Sequence, residues 1–340
     1  LQQDRIPLSI DTSVDRIDVR AFGSGIFLFW IAKFFRNTMF LELSQFFHGI
    51  FLLLISYAVM AKTGIKKENA LRYALLIYFI PTVLIQARTC QNHLILAAWT
   101  LAAILYAIDV FYEKGTAPPA PPIIFLSIVL GILWGLKLNS PQIIFVFFLS
   151  LLLSLGFKKN SLRTFIDEKK WEIISGIIIM ILLGGYWHIK NIILYKNPTG
   201  PYSPGVFAFS HGSIPDILRA MGEIFVKNIA EFPIRISDSL SQYNPGLPRI
   251  SGFGIQFFVF GLISYIGVFI LIIKKRIKRN SFMGFAFIFS FLLLLSYFVY
   301  YYDDFNHRLL IFFPVIGIIF WAYLLTRFRV DGKRFFSIYL

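Results

Sequence analysis

Long apolar runs that alternate with short polar connectors dominate the amino-acid sequence. Hydrophobic residues make up 57% of the 340 residues and charged residues only 15%, against about 25% charged in a soluble domain. A transmembrane helix needs about 20 mostly apolar residues, or slightly fewer when long side chains at its ends reach the interface. The pattern predicts an all-α polytopic membrane protein with about nine transmembrane helices. They are expected at 45–61, 70–87, 94–112, 122–136, 141–157, 172–190, 254–273, 282–301 and 309–326.

Basic residues fall on alternate connectors. The basic set of connectors carries 18 Lys and Arg residues, at 62–69, 113–121, 157–171, 274–280 and 327–334. The other set carries one Lys or Arg in each connector, at 88–93, 137–141 and 302–308. Short connectors rich in Lys and Arg stay in the cytoplasm. The bias therefore predicts a multi-pass membrane protein with the second set of connectors on the far side of the membrane, which is the periplasmic face if the source is bacterial.

The same alternation divides the chain into four parts. The run 21–35 is only about fifteen residues long and includes Lys33, which favours an interfacial helix over a span. The predicted orientation also requires a span before Leu1, so we expect one to precede it. The parts are a periplasmic loop with the interfacial helix (1–44), a membrane domain with spans 1–6 (45–190), a periplasmic loop region of about 60 residues (191–253), and a membrane domain with spans 7–9 and a cytoplasmic tail (254–340).

Several functions are disfavoured by the composition. A single cysteine, Cys90, rules out an internal disulfide and argues against a cysteine-based metal site. The net charge of +15 lies between apolar runs, which is the pattern of membrane topology, so no nucleic-acid partner is predicted. The sequence also lacks a P-loop, a dinucleotide fingerprint, HExxH and GxSxG, and cytoplasmic soluble-enzyme chemistry has no support.

The remaining polar residues cluster at span ends on the predicted periplasmic face. Candidate ligands for a phosphate are the cations Arg88, Lys137, Lys190 and Arg308. Candidate ligands for substrate hydroxyls are Asn92, His93, Asn191 and His307. The simpler alternative is that these residues form solvated turns and interfacial anchors, in which lysines extend toward the headgroups. The convergence of several turns predicts a site at the bilayer boundary that holds a lipid-borne polar group.

Carboxylates predicted near the same face are candidates for general acid–base catalysis. Asp15 lies in the polar segment 9–25 and is the first candidate for a general base, with Asp303 and Asp304 next. The adjacent pair has two other interpretations. One is a helix cap that pairs with Arg308, and the other is a pair of ligands for a divalent cation. No other cofactor is predicted.

Several of these segments follow the order typical of one family. The chain resembles bacterial polytopic glycosyltransferases of the GT-C superfamily, which includes the aminoarabinose and protein-mannosyl transferases. VDRIDVRAFGSGIFLF resembles the segment after their first periplasmic loop, and IQARTCQNHL and GLKLNSPQ resemble two of their turns. WHIKNIILYKNPTGP resembles an RNxxLxGNPxxP exit, and HRLLIFFPV a late RxxLPxxP span. In this chain His93 stands where that branch usually has Asp.

The resemblance implies transfer of a sugar from a polyprenyl-phosphate donor to a lipid or glycan acceptor, with membrane lipids as surroundings. The cations at the span ends would stabilise the leaving phosphate, and Asp15, Asp303 or Asp304 would deprotonate the acceptor. Two other functions fit a polytopic chain. One is an inactive GT-C-like assembly protein, and the other is a lipid-linked glycan transporter or flippase, which is expected to bury ionisable residues within its spans.

Overall fold

The computed structural model describes most of the apolar part of the chain. The described residues are 33–36, 43–87, 93–112, 121–137, 140–156, 159–197, 215, 219, 261–278, 281–300 and 311–328. Within these ranges the regular structure is helical and no strand occurs. Residues 33–35 are helical and exposed, and the remainder of the expected interfacial helix lies outside the described residues.

Eleven α-helices, numbered here in chain order, make up the described fold. They are α1 (Leu43–Lys62), α2 (Lys67–Tyr78), α3 (Pro81–Gln86), α4 (His93–Ala107), α5 (Pro122–Leu136), α6 (Ser140–Leu155), α7 (Lys159–Met180), α8 (Tyr186–Tyr195), α9 (Ile263–Ile273), α10 (Phe282–Tyr300) and α11 (Phe312–Arg327). Two π-helical turns extend this set, Ile108–Tyr112 after α4 and Ile181–Gly185 between α7 and α8.

The helix boundaries differ from those predicted from the sequence at three places. The span expected at 70–87 is broken at Phe79 and Ile80, because Pro81 lacks an N–H and disfavours helical backbone in the residue before it. The expected connector 157–171 is largely helical, since Lys, Arg and Glu are good helix formers, and non-helical backbone at Lys169 (φ −109°, ψ 15°) divides α7 near the end of this connector. Helix α8 continues to Tyr195, and Lys196 (φ 55°) caps it. Lys190 and Asn191 therefore lie inside a helix and not after one.

The helices pack as neighbours in an up-and-down arrangement. α5 lies between α4 and α7, while α1 packs against both α4 and α2. α11 contacts α2, α9 and α10, and α10 packs on α6. Large aromatic rings fill the α6–α10 contact, where Phe147 meets Phe285 and Phe289 at centroid distances of 5.6 and 6.0 Å. Van der Waals packing of these rings helps to hold the two helices together, because lipid supplies no hydrophobic driving force for helix association.

Contacts between helix ends define two opposite ends of the bundle. At the first, called the basic end, Lys62 pairs with Asp109, Tyr112 hydrogen-bonds Ser154 at 3.1 Å, and Arg327 donates to the Arg276 carbonyl at 3.0 Å. The other, called the histidine end, is defined by Gln45, His93, Lys137 and Gln142. There Gln142 donates to Ser296 at 2.9 Å. The cations of the basic end belong to the connectors, or to the helix ends that border them, for which the sequence predicted a cytoplasmic location.

Helix length and composition are those of a membrane protein. Among the described residues, α1 and the segment His93–Tyr112 are each long and apolar enough to cross a bilayer. A third span results if the pair Phe165–Gly185 and His188–Tyr195, bent by 56°, is taken as one. α5, α6, α9, α11 and most of α10 are apolar but shorter. The chain is an all-α polytopic membrane protein, and the number of nine spans stays a prediction.

Candidate functional site

The histidine end brings together three helix ends through α5. Lys137 ends α5, and its Nζ lies 3.4 Å from Nδ1 of His93, the first residue of α4. One turn earlier on α5, the Trp134 ring lies 5.7 Å from the His188 ring of α8, centroid to centroid. The last turn of α5 therefore contacts α4 through Lys137 and α8 through Trp134. Three of the segments predicted from sequence to converge do so.

His93 is almost fully buried and faces a lysine. Its side chain is 5% exposed, and Lys137 is half-buried. A charged lysine has only donors, so Nδ1 of His93 must act as acceptor and the ring proton then sits on Nε2. This neutral tautomer is assigned from the contact. The sequence interpretation of His93 as a ligand for substrate hydroxyls is therefore incomplete, because the ring also holds the lysine ammonium.

The start of α4 is held by a residue that the sequence reasoning missed. The side-chain oxygen of Gln45 accepts a hydrogen bond from the Leu94 backbone N–H at 3.2 Å. The first N–H groups of a helix have no partner within it, so Gln45 caps α4 from a different helix. Gln45 is 2% exposed. The sequence signal for this role was a polar residue near the start of the mostly apolar α1. The hydrogen bond from Leu94 to Gln45 fixes the start of α4, and with it His93, beside the start of α1.

The turn that carries Lys137 contains a second buried polar group. The Ser140 backbone N–H donates to the Lys137 carbonyl at 3.0 Å, which closes the turn between α5 and α6. The Ser140 hydroxyl is completely buried and has no hydrogen-bond partner in the described part of the chain. Buried polar atoms in native proteins are nearly always hydrogen-bonded. The Ser140 hydroxyl is thus an unsatisfied polar group in the same turn as the half-buried Lys137.

Close backbone contact sets the distance between α5 and the α7–α8 break. A Cβ on Gly184 would lie 2.5 Å from the Gly131 carbonyl oxygen and 2.6 Å from Cβ of Trp134. Glycine at this position lets the two helices approach closely, as small residues do between membrane helices. The π turn at Ile181–Gly185 precedes α8 and His188. Such π turns are frequent at functional sites.

The predicted site residues divide into those placed here and those not described. Lys137 and His93 are in contact, while Lys190 is half-buried and Asn191 is 5% exposed, both within α8. The others lie outside the described residues: Asp15, Arg88, Asn92, Asp303, Asp304, His307 and Arg308. No group of three or more His, Cys, Asp or Glu side chains that could bind a metal occurs among the described residues.

Comparisons with known proteins bear on the fold. No protein-family model matches the sequence, and no curated protein sequence matches it. The chain is similar in structure to the crystal structure of ArnT from Cupriavidus metallidurans in the apo state, with a TM-score of 0.54 and 13% sequence identity. The two proteins share a similar fold. The similarity covers 92% of this chain and 51% of the ArnT chain, so this chain spans about half the length of that protein.

At 13% identity the similarity shows the fold alone and carries no residue role from that protein to this chain. The roles of Lys137, His93, Lys190 and Asn191 therefore depend on their own surroundings.

Proposed function

We propose that this chain is a membrane glycosyltransferase, or a large part of one, that uses a polyprenyl-phosphate-linked sugar. The contact that carries the proposal is Lys137 with His93, at a bundle end where α4, α5 and α8 meet. In the proposed reaction the acceptor hydroxyl attacks the anomeric carbon, and the bond from that carbon to the phosphate oxygen breaks. The leaving phosphate gains negative charge as the bond breaks, and Lys137 stabilises that charge.

Two features support surface chemistry over passage of a solute through the bundle. No Asp, Glu, Lys or Arg is among the buried side chains of the described residues, whereas a transporter is expected to hold ionisable groups near the bilayer midplane. The cation and its histidine partner are instead at a helix end. The site that these positions favour lies at the membrane boundary, where a lipid phosphate is found.

In the proposed reaction, a carboxylate activates the acceptor. A base must remove the proton of the acceptor hydroxyl, and Asp15 is the first candidate, followed by Asp303 and Asp304. The acceptor is a lipid or glycan at the outer face of a bacterial inner membrane, in line with the charge bias of the connectors. If the Asp pair binds a divalent cation, that ion adds positive charge near the phosphate.

The proposal is tested with Lys137→Met, which keeps the length of the side chain and removes its charge. We expect the dissociation constant for a polyprenyl-phosphate sugar to rise at least about tenfold, because a hydrogen bond from a charged group contributes roughly 1.5–3 kcal/mol. Transfer to acceptor should fall in parallel. Binding is measured by donor titration of the full-length protein in detergent or nanodiscs, and transfer by radiolabelled sugar.

The matched control is Lys66→Met, an exposed lysine at the basic end. It removes the same charge and should change neither binding nor transfer. If the wild-type protein neither binds a donor nor transfers its sugar, the enzyme proposal is wrong and an assembly protein is favoured. Movement of a lipid-linked glycan across vesicles without transfer would favour a flippase.

A further inference from the structure

The turn between α9 and α10 carries positive charge without a neighbouring acid. Lys274, Lys275, Arg276 and Lys278 lie in this turn, and all four are exposed. No Asp or Glu occurs in the described ranges 261–278, 281–300 and 311–328. Other basic connectors differ, since 62–69 contains Glu68 and 157–171 contains Asp167 and Glu168. Within these three described ranges, the turn is therefore a concentrated patch of positive charge with no acidic residue.

Hydrogen bonds and a buried side chain define the backbone conformation of this turn. The Lys274 N–H donates to the Ile270 carbonyl, and the Arg276 N–H to the Leu271 carbonyl, both at 2.9 Å. Ile277 is 4% exposed and anchors the turn to the core. Lys275 adopts a left-handed conformation (φ 52°) that reverses the chain here. The result is a rigid turn from which the cationic side chains project outward.

The end of α11 contributes a fifth cation. Arg327 donates through one guanidinium nitrogen to the Arg276 carbonyl and through another to the Tyr323 hydroxyl, both at 3.0 Å. Its guanidinium also lies 6.0 Å from the centre of the Tyr323 ring. These contacts hold the arginine against the turn although it carries the same charge as its neighbours. An anion at this place would lower the repulsion between them.

An exposed apolar stripe leads along α9 to the same turn. Ile263, Ile266, Ile270 and Ile273 are 45%, 50%, 43% and 62% exposed and follow a spacing of three or four residues. They lie on one face of the helix. Ten residues of helix extend about 15 Å, which is half of the roughly 30 Å hydrocarbon core and matches one leaflet. The stripe ends directly at Lys274.

We propose that the α9–α10 turn and the end of α11 bind the headgroup phosphate of an anionic glycerophospholipid, with an acyl chain along the isoleucine stripe of α9. Phosphate oxygens accept charge-assisted hydrogen bonds from Lys and Arg. Basic pockets at the cytoplasmic ends of membrane helices suit such headgroups. The stripe provides the apolar contact that a free phosphate ion would not use. This lipid site is separate from the histidine end and independent of the proposed transfer reaction.

The test compares two triple variants of the full-length protein, purified in detergent and stripped of lipid. Lys274→Gln/Lys275→Gln/Lys278→Gln removes three cations of the turn and leaves the Arg327 contacts in place. Lys66→Gln/Lys67→Gln/Lys170→Gln removes the same charge from exposed basic-end positions that have an acid within two residues. Each protein is titrated with phosphatidylglycerol, with phosphatidylcholine of the same acyl chains, and with inorganic phosphate. Bound lipid is counted by native mass spectrometry and thermal stability is followed in parallel.

We expect wild type and the control variant to retain phosphatidylglycerol, and the turn variant to lose at least about tenfold in apparent affinity. Salt at about 1 M should weaken retention in wild type, since it shortens the screening length to about 3 Å. Equal retention of phosphatidylglycerol by the turn variant, or equal retention of phosphatidylcholine by wild type, would overturn the proposal. Protection by inorganic phosphate as strong as that by lipid would point to a free-anion site and would also overturn it. An unchanged unfolding temperature without lipid shows that the turn variant is folded.

Discussion

At the scale of single residues, the proposed site depends on His93 and Lys137, whose Nδ1 and Nζ atoms lie 3.4 Å apart. Both residues stand at span ends among apolar residues, and both are at the histidine end. Their contact is not predictable from the sequence, because 44 residues separate them in the chain. Binding of a substrate hydroxyl by His93 stays a prediction, and its contact with Lys137 gives it a second effect, which is to hold the position of that ammonium.

The role of His93 is tested by two substitutions of the same residue. His93→Phe keeps an aromatic ring and removes the acceptor, while His93→Asn keeps an acceptor oxygen close to the position of Nδ1. Loss of one hydrogen bond to a charged group costs about 1.5–3 kcal/mol, so His93→Phe should weaken donor binding roughly tenfold or more. His93→Asn should stay close to wild type. Donor titration measures both, and equal affinity of the two variants would show that the Nδ1 acceptor is unimportant.

At the scale of helices, the apolar runs were predicted well and their boundaries less well. Six of the expected spans coincide at both ends with described helical segments to within about three residues, because burial in lipid requires continuous apolar helix. The break at Phe79 and Ile80 had a visible signal in Pro81. The charged connector 157–171 is largely helical because charge marks the edge of a bilayer but does not by itself end a helix. The backbone is non-helical at Lys169 (φ −109°, ψ 15°), close to residue 172, where the next span was expected to begin.

The close contact between α5 and the α7–α8 break depends on Gly184, and this can be tested against its neighbour. A Cβ on Gly184 would meet the Gly131 carbonyl oxygen at 2.5 Å, whereas a Cβ on Gly185 would meet the Ile181 and Ile189 side chains at 3.4 and 3.7 Å. Both glycines are buried. Overpacking of a close contact costs about 1–3 kcal/mol, so Gly184→Ala should lower the unfolding temperature and separate α5 from α8.

Gly185→Ala serves as the control because it adds the same methyl group one residue away. It should unfold close to the wild-type temperature. Separation of α5 from α8 also moves Trp134 relative to His188, so Gly184→Ala should alter tryptophan fluorescence in the folded state. Two variants with identical stability and identical spectra would show that the glycine contact does not set the distance between these helices.

For the whole molecule, charge counting and tertiary contacts support one arrangement of the helices. The counts sorted the connectors into a basic set and a sparsely charged set. The contacts group Lys62 with Asp109 and Arg327 with Arg276 at one end, and His93 with Lys137 at the other. Topology predicts on which side of the membrane a segment lies, but it does not predict which residues the segment contacts. The general base could therefore not be located by the same argument. Asp15, Asp303 and Asp304 therefore stay predictions from sequence.

The orientation of the two ends gives the last prediction. A variant with Cys90→Ser has no other cysteine, so one new cysteine reports one position. Lys196→Cys, after α8, should react with a membrane-impermeant maleimide in intact bacterial cells, since the charge bias places this segment outside. Lys66→Cys, between α1 and α2, should react only after the membrane is permeabilised. Both positions are exposed, so labelling reports the side of the membrane. The reverse pattern would place the Lys137–His93 contact on the cytoplasmic face and with it the proposed transfer reaction.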